Sequence, residues 1–588
     1  MRKKHFLFAS VLALLCGSST LHAQDFKLTS SGYFKNQGVD VMAFDDIYPE
    51  GHQGGVCIIM NGHRVATNGD IRLEATPGQW QPVPKQLDRK LGDNSITATL
   101  CYPDSSRHLT GFNPMIYPDL HLIYTVNVES KGKNIEVTVD LDRPIPQEFI
   151  GKVGFNLEFF PGSLFGKPWI MDGQSGIFPQ QPNSPLMTTQ PNYLHTGNYH
   201  DGKKSLADMN KLIGKGYSPI VADDIISEPY AKGTKFTSRP DDPYNKVTIE
   251  SLSGDLQLFD GRMNHNNGWF VLRSNIKPGV TKGAVKWIIT PNVVADWMYQ
   301  PVIQTSQIGY HPTQDKEAVI EMDIRDNRKE TAQIIRIDAD GEKVVKNVTP
   351  ANWGKFLRYN YLKVNFTDVK EPGLYKIKYN TSVSPIFRID NDVYARGVWQ
   401  PVLEYFLPVQ MCHMRVNEKY RVWHDCCHMD DAQMAPAHNH IDGYDQKEGL
   451  SKFKPGEVVP GVNIGGWHDA GDFDLRIESQ AGESYILALA YEAFHPNLDV
   501  TSIDQINRVT EIHQPDGKND LLQQVENGAL TVVNGYLALG RLYRGIICND
   551  LRQYVLLGDA AAMTDGKIGN EDDRWIFTED NPGRELST

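Results

Sequence analysis

A nine-residue string in the last third of the sequence carries the side chains best suited to chemistry. Residues 465–473 read Gly-Gly-Trp-His-Asp-Ala-Gly-Asp-Phe, with Asp469 and Asp472 three positions apart. On a loop broken by glycine, both carboxylates can face one cleft, where such a pair can hold a water molecule and take its proton. Trp467 offers a flat face for a sugar ring, and His468 can orient a carboxylate or bind a metal. The string predicts a catalytic loop, although Asp-Ala-Gly-Asp alone is more typical of a turn.

A second group of candidate ligands lies just before this loop. Cys412, Cys427 and His428 join His468 to offer two thiolates and two imidazoles, which suit a closed, tetrahedral, structural zinc site. The long polar segment between the first ligand and the last would be costly to order without such a clip, because closing a loop costs entropy. Two alternatives stay open: a Cys–Cys disulfide, or a different ligand taken from the neighbouring Cys426, His424, His438 and His440.

Length and composition limit the classes of protein to which this sequence can belong. A chain of 588 residues should form several domains. Its 50 Gly, 34 Pro, 10 Trp, 25 Tyr and 23 Phe favour turn-rich β structure with aromatic surfaces that can stack on sugars. A formal charge of −13 argues against nucleic acid as a partner, since phosphates need a basic face.

The N-terminus predicts export. Residues 1–23 read as a signal peptide, with a basic start, an apolar run at residues 6–15 and a cleavage site after Ala23. Cys16 leaves a lipoprotein as the alternative. No later run of about 18 apolar residues occurs, so no transmembrane segment is predicted. The mature protein is therefore expected in the periplasm, at the cell surface or secreted.

Three regions follow the signal. Residues 24–300 alternate apolar and polar residues in strand-like runs, among them His121–Ser130 and Asn134–Asp142 joined by a short loop, and predict a large β-sandwich of unknown role. Residues 301–389 predict an immunoglobulin-like sandwich, with strands at Ala318–Ile324 and Gly373–Tyr379. From residue 390 to 588, helices are predicted at three places, namely Val393–Cys412, Gly482–Phe494 and Asp520–Ile547.

The string at 465–473 resembles the signature of glycoside hydrolase family 9, the inverting cellulases. The opening Gln307-Ile308-Gly309-Tyr310 and the closing Pro372-Gly373-Leu374-Tyr375 resemble the Ig-like domain that precedes the catalytic domain in one branch of that family. The resemblance implies a catalytic (α/α)6 barrel in residues 390–588. It also implies zinc on Cys412, Cys427, His428 and His468, because some members have a matching Cys, a Cys-His-x-Asp-Asp-Ala string and the same His.

The resemblance further implies an inverting mechanism. Asp472 would be the base that takes the proton from water, Asp469 would help to hold that water, and a Glu far downstream would be the acid. Glu579 and Glu585 come too early to be that acid. The residues after 390 number about half of what twelve helices require. The sequence is therefore expected to hold only the N-terminal part of the barrel, with the acid beyond Thr588, and to be inactive alone.

The function expected from these features is endo-β-1,4-glucanase activity on cellulose or a related glucan such as xyloglucan or mixed-linkage glucan. The first alternative is a non-catalytic polysaccharide-binding protein with a degenerate or truncated barrel. The second is a structural exported protein in which Asp-Ala-Gly-Asp is only a turn. The resemblance also makes calcium a candidate cofactor, since relatives bind it, but no ligands for it can be named.

Overall fold

The computed structural model describes most of the chain. The described residues are 25–45, 54–78, 84–102, 120–184, 187–189, 225–263, 268–356, 358–439, 445–447, 449–469, 473–548 and 574–578. The predicted signal peptide at residues 1–23 lies outside them. In these ranges no helix combines the length and the apolar character needed to cross a membrane.

The first region contains two large antiparallel sheets. The first sheet has nine strands, in the spatial order Lys27–Leu28, Phe34–Asn36, Val39–Ala43, Val56–Met60, His63–Leu73, Val153–Phe159, Phe270–Asn275, Leu256–Asp260 and Ala231–Gly233. The second also has nine, in the order Gln174–Ile177, Pro168–Met171, Lys235–Ser238, Val247–Ser251, Val285–Pro291, Asn134–Leu141, Ile123–Lys131, Ser95–Cys101 and Lys85–Leu91. Met187–Thr189 and Ile225–Ser227 form a separate pair. Single turns of 3-10 helix lie at Gln147–Phe149, Pro161–Ser163 and Gly261–Met263.

Alternation of apolar and polar side chains explains why these residues form sheets. In Asn134–Leu141, every second side chain is buried, and its neighbour Ile123–Lys131 alternates in the same way. The two strands form the predicted hairpin, with Lys131 opposite Asn134. Most buried apolar side chains of both sheets belong to one core, which includes Phe155 and Trp287. The prediction of a β-rich N-terminal region is therefore confirmed.

Two smaller sheets form the Ig-like domain. One has the order Val302–Gln304, Glu317–Asp323, Tyr359–Asn365 and Ala351–Phe356. The other has the order Gly341–Val348, Ala332–Asp338, Gly373–Tyr379 and Ser382–Val383, with Phe387–Ile389 also paired to Gly373–Tyr379. Their shared core contains Tyr310, Phe366 and Phe387, whose ring centroids lie 5.1–5.6 Å apart. Gly373–Tyr379 is the strand predicted from the sequence.

The remaining described residues mix helices with short strands. The helices are α1 (Leu407–Gln410, directly preceded by a π-helical turn at Val402–Phe406), α2 (Ile477–Phe494) and α3 (Asp520–Leu539). One sheet has the order Arg421–His424, Arg415–Glu418, Val509–Ile512 and Thr501–Asp504, and another has Gln433–Met434, Arg574–Phe577, Gly545–Cys548 and Leu475–Arg476. His438–Asn439 pairs with Asp445–Gln446.

Two predicted helices are shorter than expected. The first begins only after Pro401, and Pro408 at the start of α1 lacks the N–H that would continue the hydrogen-bond ladder. The last ends at Leu539, because Gly540 adopts φ 74° and the chain then turns into strand Gly545–Cys548. Only α2 and α3 are long among the helices of the described residues, so the (α/α)6 barrel stays a prediction.

A group of charged side chains is buried in the N-terminal sandwich. The Arg273 guanidinium lies 3.3 Å from the Glu74 carboxylate, which also accepts a 2.6 Å hydrogen bond from the Asn156 amide. The Tyr124 hydroxyl donates to Asp70 at 3.1 Å. Burial raises the pKa of Asp70 to about 6 and the pKa of Glu74 to about 7, although neighbouring arginines oppose both shifts. Both carboxyls therefore hold protons more tightly in the folded protein than in the unfolded chain.

This burial predicts that the N-terminal sandwich loses stability as pH rises. The folded state binds more protons than the unfolded state, whose carboxyl pKa values are about 4. The free energy of unfolding is therefore highest below about pH 4 and decreases as the pH rises from about 4 to about 7. Glu74 alone should account for a loss on the order of 3 kcal/mol, because its pKa rises from 4.5 to about 7. Hydrogen exchange of the amides in His63–Leu73, followed from pH 5 to 8 after correction for the intrinsic rate, would measure it. Glu74→Gln should flatten the dependence, and equal slopes in variant and wild type would contradict the prediction.

Candidate functional site

The loop at 465–468 is held between α1 and α3 by its backbone. The Gly466 N–H donates to the Asn527 carbonyl oxygen at 2.9 Å, and its own carbonyl oxygen accepts from the Cys412 N–H at 2.9 Å. The His468 N–H donates to the Gln410 carbonyl oxygen at 2.9 Å. Gly465 has φ 69°, and a Cβ there would lie 2.3 Å from the Asn527 carbonyl oxygen. Only glycine fits this close approach, which explains the Gly-Gly start of the string.

Trp467 is a packing residue, and the expectation that it offers a face to a sugar is wrong for this structure. Its side chain is 1% exposed. The indole N–H donates to Gln524 Oε1 at 2.8 Å, and the Trp467 backbone N–H donates to Gln480 Oε1 at 2.9 Å. The ring lies so close to α3 that a Cβ on Gly528 would be 2.4 Å from it. Residues of α2 and α3 therefore cover the ring.

Replacing Trp467 with alanine should cost about 3–5 kcal/mol of folding stability, as for other buried aromatic side chains. The change also leaves Gln524 without its donor, which adds to the loss. Thermal unfolding followed by near-ultraviolet circular dichroism would measure the effect. Trp467→Phe keeps most of the packing and should cost clearly less. An unchanged unfolding transition in the alanine variant would show that the ring does not anchor the loop.

Asp469 lies at the surface beside two charged residues. Its side chain is 42% exposed, and its Oδ2 is 3.4 Å from Arg476 Nε. The Asp469 N–H donates to the Asp474 carbonyl oxygen at 3.0 Å. Desolvation and the nearby Asp469 carboxylate raise the pKa of Glu483. Asp472, with Ala470 and Gly471, lies outside the described residues.

Sequence reasoning did not identify Arg476 and Glu483 as neighbours of Asp469. Arg476 directly precedes α2, and Glu483 lies on it seven positions later. This spacing is close to two helical turns and places both residues on the same side of the helix. This spacing was visible in the sequence, but it indicates neighbours of Asp469 only once α2 is known to begin beside the loop.

The four predicted metal ligands lie together. The ligand atoms of Cys412, Cys427, His428 and His468 are all within 4.8 Å of one another, and all four side chains are buried. Sγ of Cys412 is 3.8 Å from Sγ of Cys427 and 3.4 Å from Nδ1 of His428, while Sγ of Cys427 is 3.4 Å from Nε2 of His468. Ligands at ordinary zinc distances of about 2.0–2.3 Å stand roughly 3.3–3.8 Å apart on a tetrahedron. The donor set and its spacing therefore fit zinc.

Electrostatics favours a thiolate in this cluster. Burial acts to raise the pKa of Cys412, but a hydrogen bond with Cys427 and the charge of Arg574 bring the pKa of that thiol well below its usual value. Burial, and then the Cys412 thiolate, raise the pKa of Cys427. Burial lowers the pKa of His428 and of His468, so both imidazoles are neutral. One thiolate and two neutral imidazoles are ready to bind a metal, and Cys427 would release its proton on binding.

Arg574 connects the cluster to the string at 465–473, and the sequence contained no signal for it. Its guanidinium donates to Cys412 Sγ at 3.1 Å, to the Asp431 carboxylate and to the Phe473 carbonyl oxygen. The Arg574 side chain is fully buried. It lies 162 residues from Cys412 in the chain, so only the fold could bring the two together.

The competing ligands of the described residues face elsewhere. Both ring nitrogens of His424 lie within 2.9 Å of backbone carbonyl oxygens, those of Val409 and Asp425. The Cys426 thiol points to the Arg508 carbonyl oxygen. The side chain of His438 and the whole of His440 lie outside the described residues. Cys412, Cys426 and Cys427 form no disulfide in the structure.

Three solved structures are partly similar to the chain. A zinc-binding triple mutant of the glycoside hydrolase family 9 endoglucanase J30 is 22% identical with a TM-score of 0.31, and the match covers 40% of each chain. A family 9 protein of Bacteroides ovatus is 19% identical with a TM-score of 0.33, and the match covers 47% of this chain and 45% of that one. Endoglucanase J30 itself is 20% identical with a TM-score of 0.30 over 40% of each chain. The chain thus spans less than half the length of these structures.

The sequence comparison assigns one domain. No curated protein matches the sequence. Residues 298–384 match the family model described as the cellulase N-terminal Ig-like domain. Through this Ig-like domain the chain is related to the cellulases of glycoside hydrolase family 9.

Proposed function

We propose that the chain belongs to an exported endo-β-1,4-glucanase that hydrolyses β-glucan with inversion. The observation that carries the proposal is the loop at 465–473. Its first half is clamped between α1 and α3, while Asp469 emerges at the surface next to Arg476 and Glu483. To position a water molecule, an exposed carboxylate must be attached to a rigid backbone, and this loop provides both.

In the proposed mechanism the two aspartates of the string act on one water molecule. Asp472 takes the proton as the water attacks the anomeric carbon, and Asp469 accepts a hydrogen bond that keeps the water in line. Arg476 limits the movement of Asp469 through the 3.4 Å contact between Nε and Oδ2. A separate carboxylic acid must protonate the departing sugar oxygen, because inversion requires both groups.

Zinc has a structural role in this proposal. Cys412, Cys427, His428 and His468 would hold it, and as a closed four-ligand site it would supply cross-linking rather than catalysis. His468 directly precedes Asp469, so the cross-link would fix the start of the catalytic turn. Arg574 would fix its end through the Phe473 carbonyl oxygen.

Product analysis tests the function. The natural gene product that carries this chain should release reducing ends from barley β-glucan, xyloglucan or carboxymethylcellulose. Proton NMR of the first product formed should show the α-anomer, because direct attack by water inverts the β-linkage. A β-anomer would refute the inverting mechanism. Binding of these glucans without any reducing-end release would favour a non-catalytic polysaccharide-binding protein.

A further inference from the structure

Five aromatic rings form a continuous row on the Ig-like domain. They are Trp297, Tyr299, Tyr359, Tyr361 and Trp353, and the successive centroid distances are 6.4, 5.0, 6.1 and 5.6 Å. The rings come from three segments of the chain: the link between the two sandwiches, strand Tyr359–Asn365 and strand Ala351–Phe356. We call this set the aromatic row.

The aromatic row lies on the outer face of its sheet. In strand Tyr359–Asn365, Asn360 and Leu362 are buried, whereas Tyr359 and Tyr361 lie on the opposite side and are only partly covered. Trp353 at the sheet edge is 55% exposed. These rings are therefore not needed to fill the core of the Ig-like domain, which lies on the other face.

Polar groups accompany the rings. Glu321, on the neighbouring strand, accepts hydrogen bonds from the Tyr299 hydroxyl at 2.8 Å and from the Tyr361 hydroxyl at 3.0 Å. The carboxylate thereby holds two rings of the row in place. The Glu321 carboxylate also places a hydrogen-bond acceptor between aromatic faces. A sugar ring can stack its apolar C–H face on an aromatic ring while its hydroxyl groups bond to such an acceptor.

The aromatic row leads into a cavity between the N-terminal sandwich and the Ig-like domain. Trp297 and Tyr359 line it, and its volume of about 420 Å³ is in the range of small-molecule sites. Its charges nearly balance, with three acidic and four basic side chains. Asp323 is held by both Nε and Nη2 of Arg325 at 2.7 Å. Balanced charge favours a neutral ligand over an anionic one.

We propose that the aromatic row and the adjoining cavity bind a single chain of a neutral glucan, separately from the catalytic loop. The orientation of the ring planes favours a single glucan chain over a crystalline surface. Neighbouring planes are tilted by 54–88°, so the rings cannot lie together on a flat crystalline surface. A separate, flexible glucan chain can turn from one ring to the next.

Binding to soluble glucan tests this inference without any need for hydrolysis. The natural protein should bind cellohexaose in calorimetry and be retarded in gels containing barley β-glucan, but should not sediment with microcrystalline cellulose. Trp353→Ala should weaken cellohexaose binding about tenfold, since one aromatic anchor often supplies that much, and Trp353→Phe should weaken it less. The matched control is Ile386→Ala, because Ile386 is 61% exposed on the same domain but outside the aromatic row.

The outcomes separate this inference from the proposed catalytic function. Weaker glucan binding in Trp353→Ala, with unchanged hydrolysis of a short soluble substrate, supports glucan binding by the aromatic row. If the natural protein does not hydrolyse glucan at all, the same loss of binding supports this inference equally. Unchanged binding in Trp353→Ala, or no binding by the natural protein, overturns it. If Trp353→Ala instead alters the oligomeric state in light scattering and glucan does not bind, the aromatic row is a protein interface.

Discussion

Replacing Asp472 with asparagine is expected to lower kcat on soluble β-glucan at least about a hundredfold in the natural gene product that carries this chain. An amide cannot accept the proton that the attacking water must lose. Affinity for glucan should remain within about twofold, because the two side chains have nearly the same shape and the water is held by further groups. Initial rates and equilibrium binding measured on the same preparation would test this.

Two companion variants sharpen the test of Asp472. Asp469→Asn can still hold the water through a hydrogen bond, so its loss of kcat should be clearly smaller. Asp472→Ala should regain part of its rate when azide is added, since a small anion can attack where the activated water is lost. Wild-type kcat in Asp472→Asn would exclude this residue as the base. A larger loss in Asp469→Asn than in Asp472→Asn would reverse the two roles.

Cys427→Ser is expected to abolish the binding of one zinc ion per chain and to destabilise the part of the protein around the cluster by several kcal/mol. Binding free energy in a structural zinc site is folding free energy, and it is large when the ligands are buried. The Cys427 thiol is fully buried and lies 3.8 Å from the Cys412 thiol. Elemental analysis and thermal unfolding of the wild type, before and after treatment with a chelator, would give the size of the effect.

The adjacent cysteine supplies the control for this zinc prediction. Cys426 faces the Arg508 carbonyl oxygen, outside the cluster, so Cys426→Ser should keep both the zinc and the unfolding temperature. The prediction fails if the purified wild type contains no zinc. Peptide mapping without reduction would then show whether Cys412 and Cys427 have formed a disulfide, the alternative that export would permit.

The sequence by itself determined the features that depend on near neighbours in the chain. Alternating burial along Asn134–Leu141 and Gly373–Tyr379 follows from the period of a strand, so those strands could be predicted almost residue by residue. The donor types at Cys412, Cys427, His428 and His468 also limit the chemistry of any site they form. Helix ends were less predictable, since they depend on local caps such as Gly540.

The tertiary structure alone decided which side chains are covered and which distant ones meet. Trp467 could have been a sugar platform or a core residue, and it became a core residue because α2 and α3 close over it. Arg574 reaches Cys412 across 162 positions, and the aromatic row is assembled from three segments. No periodicity encodes such contacts, because they depend on how elements pack rather than on the spacing within any one of them.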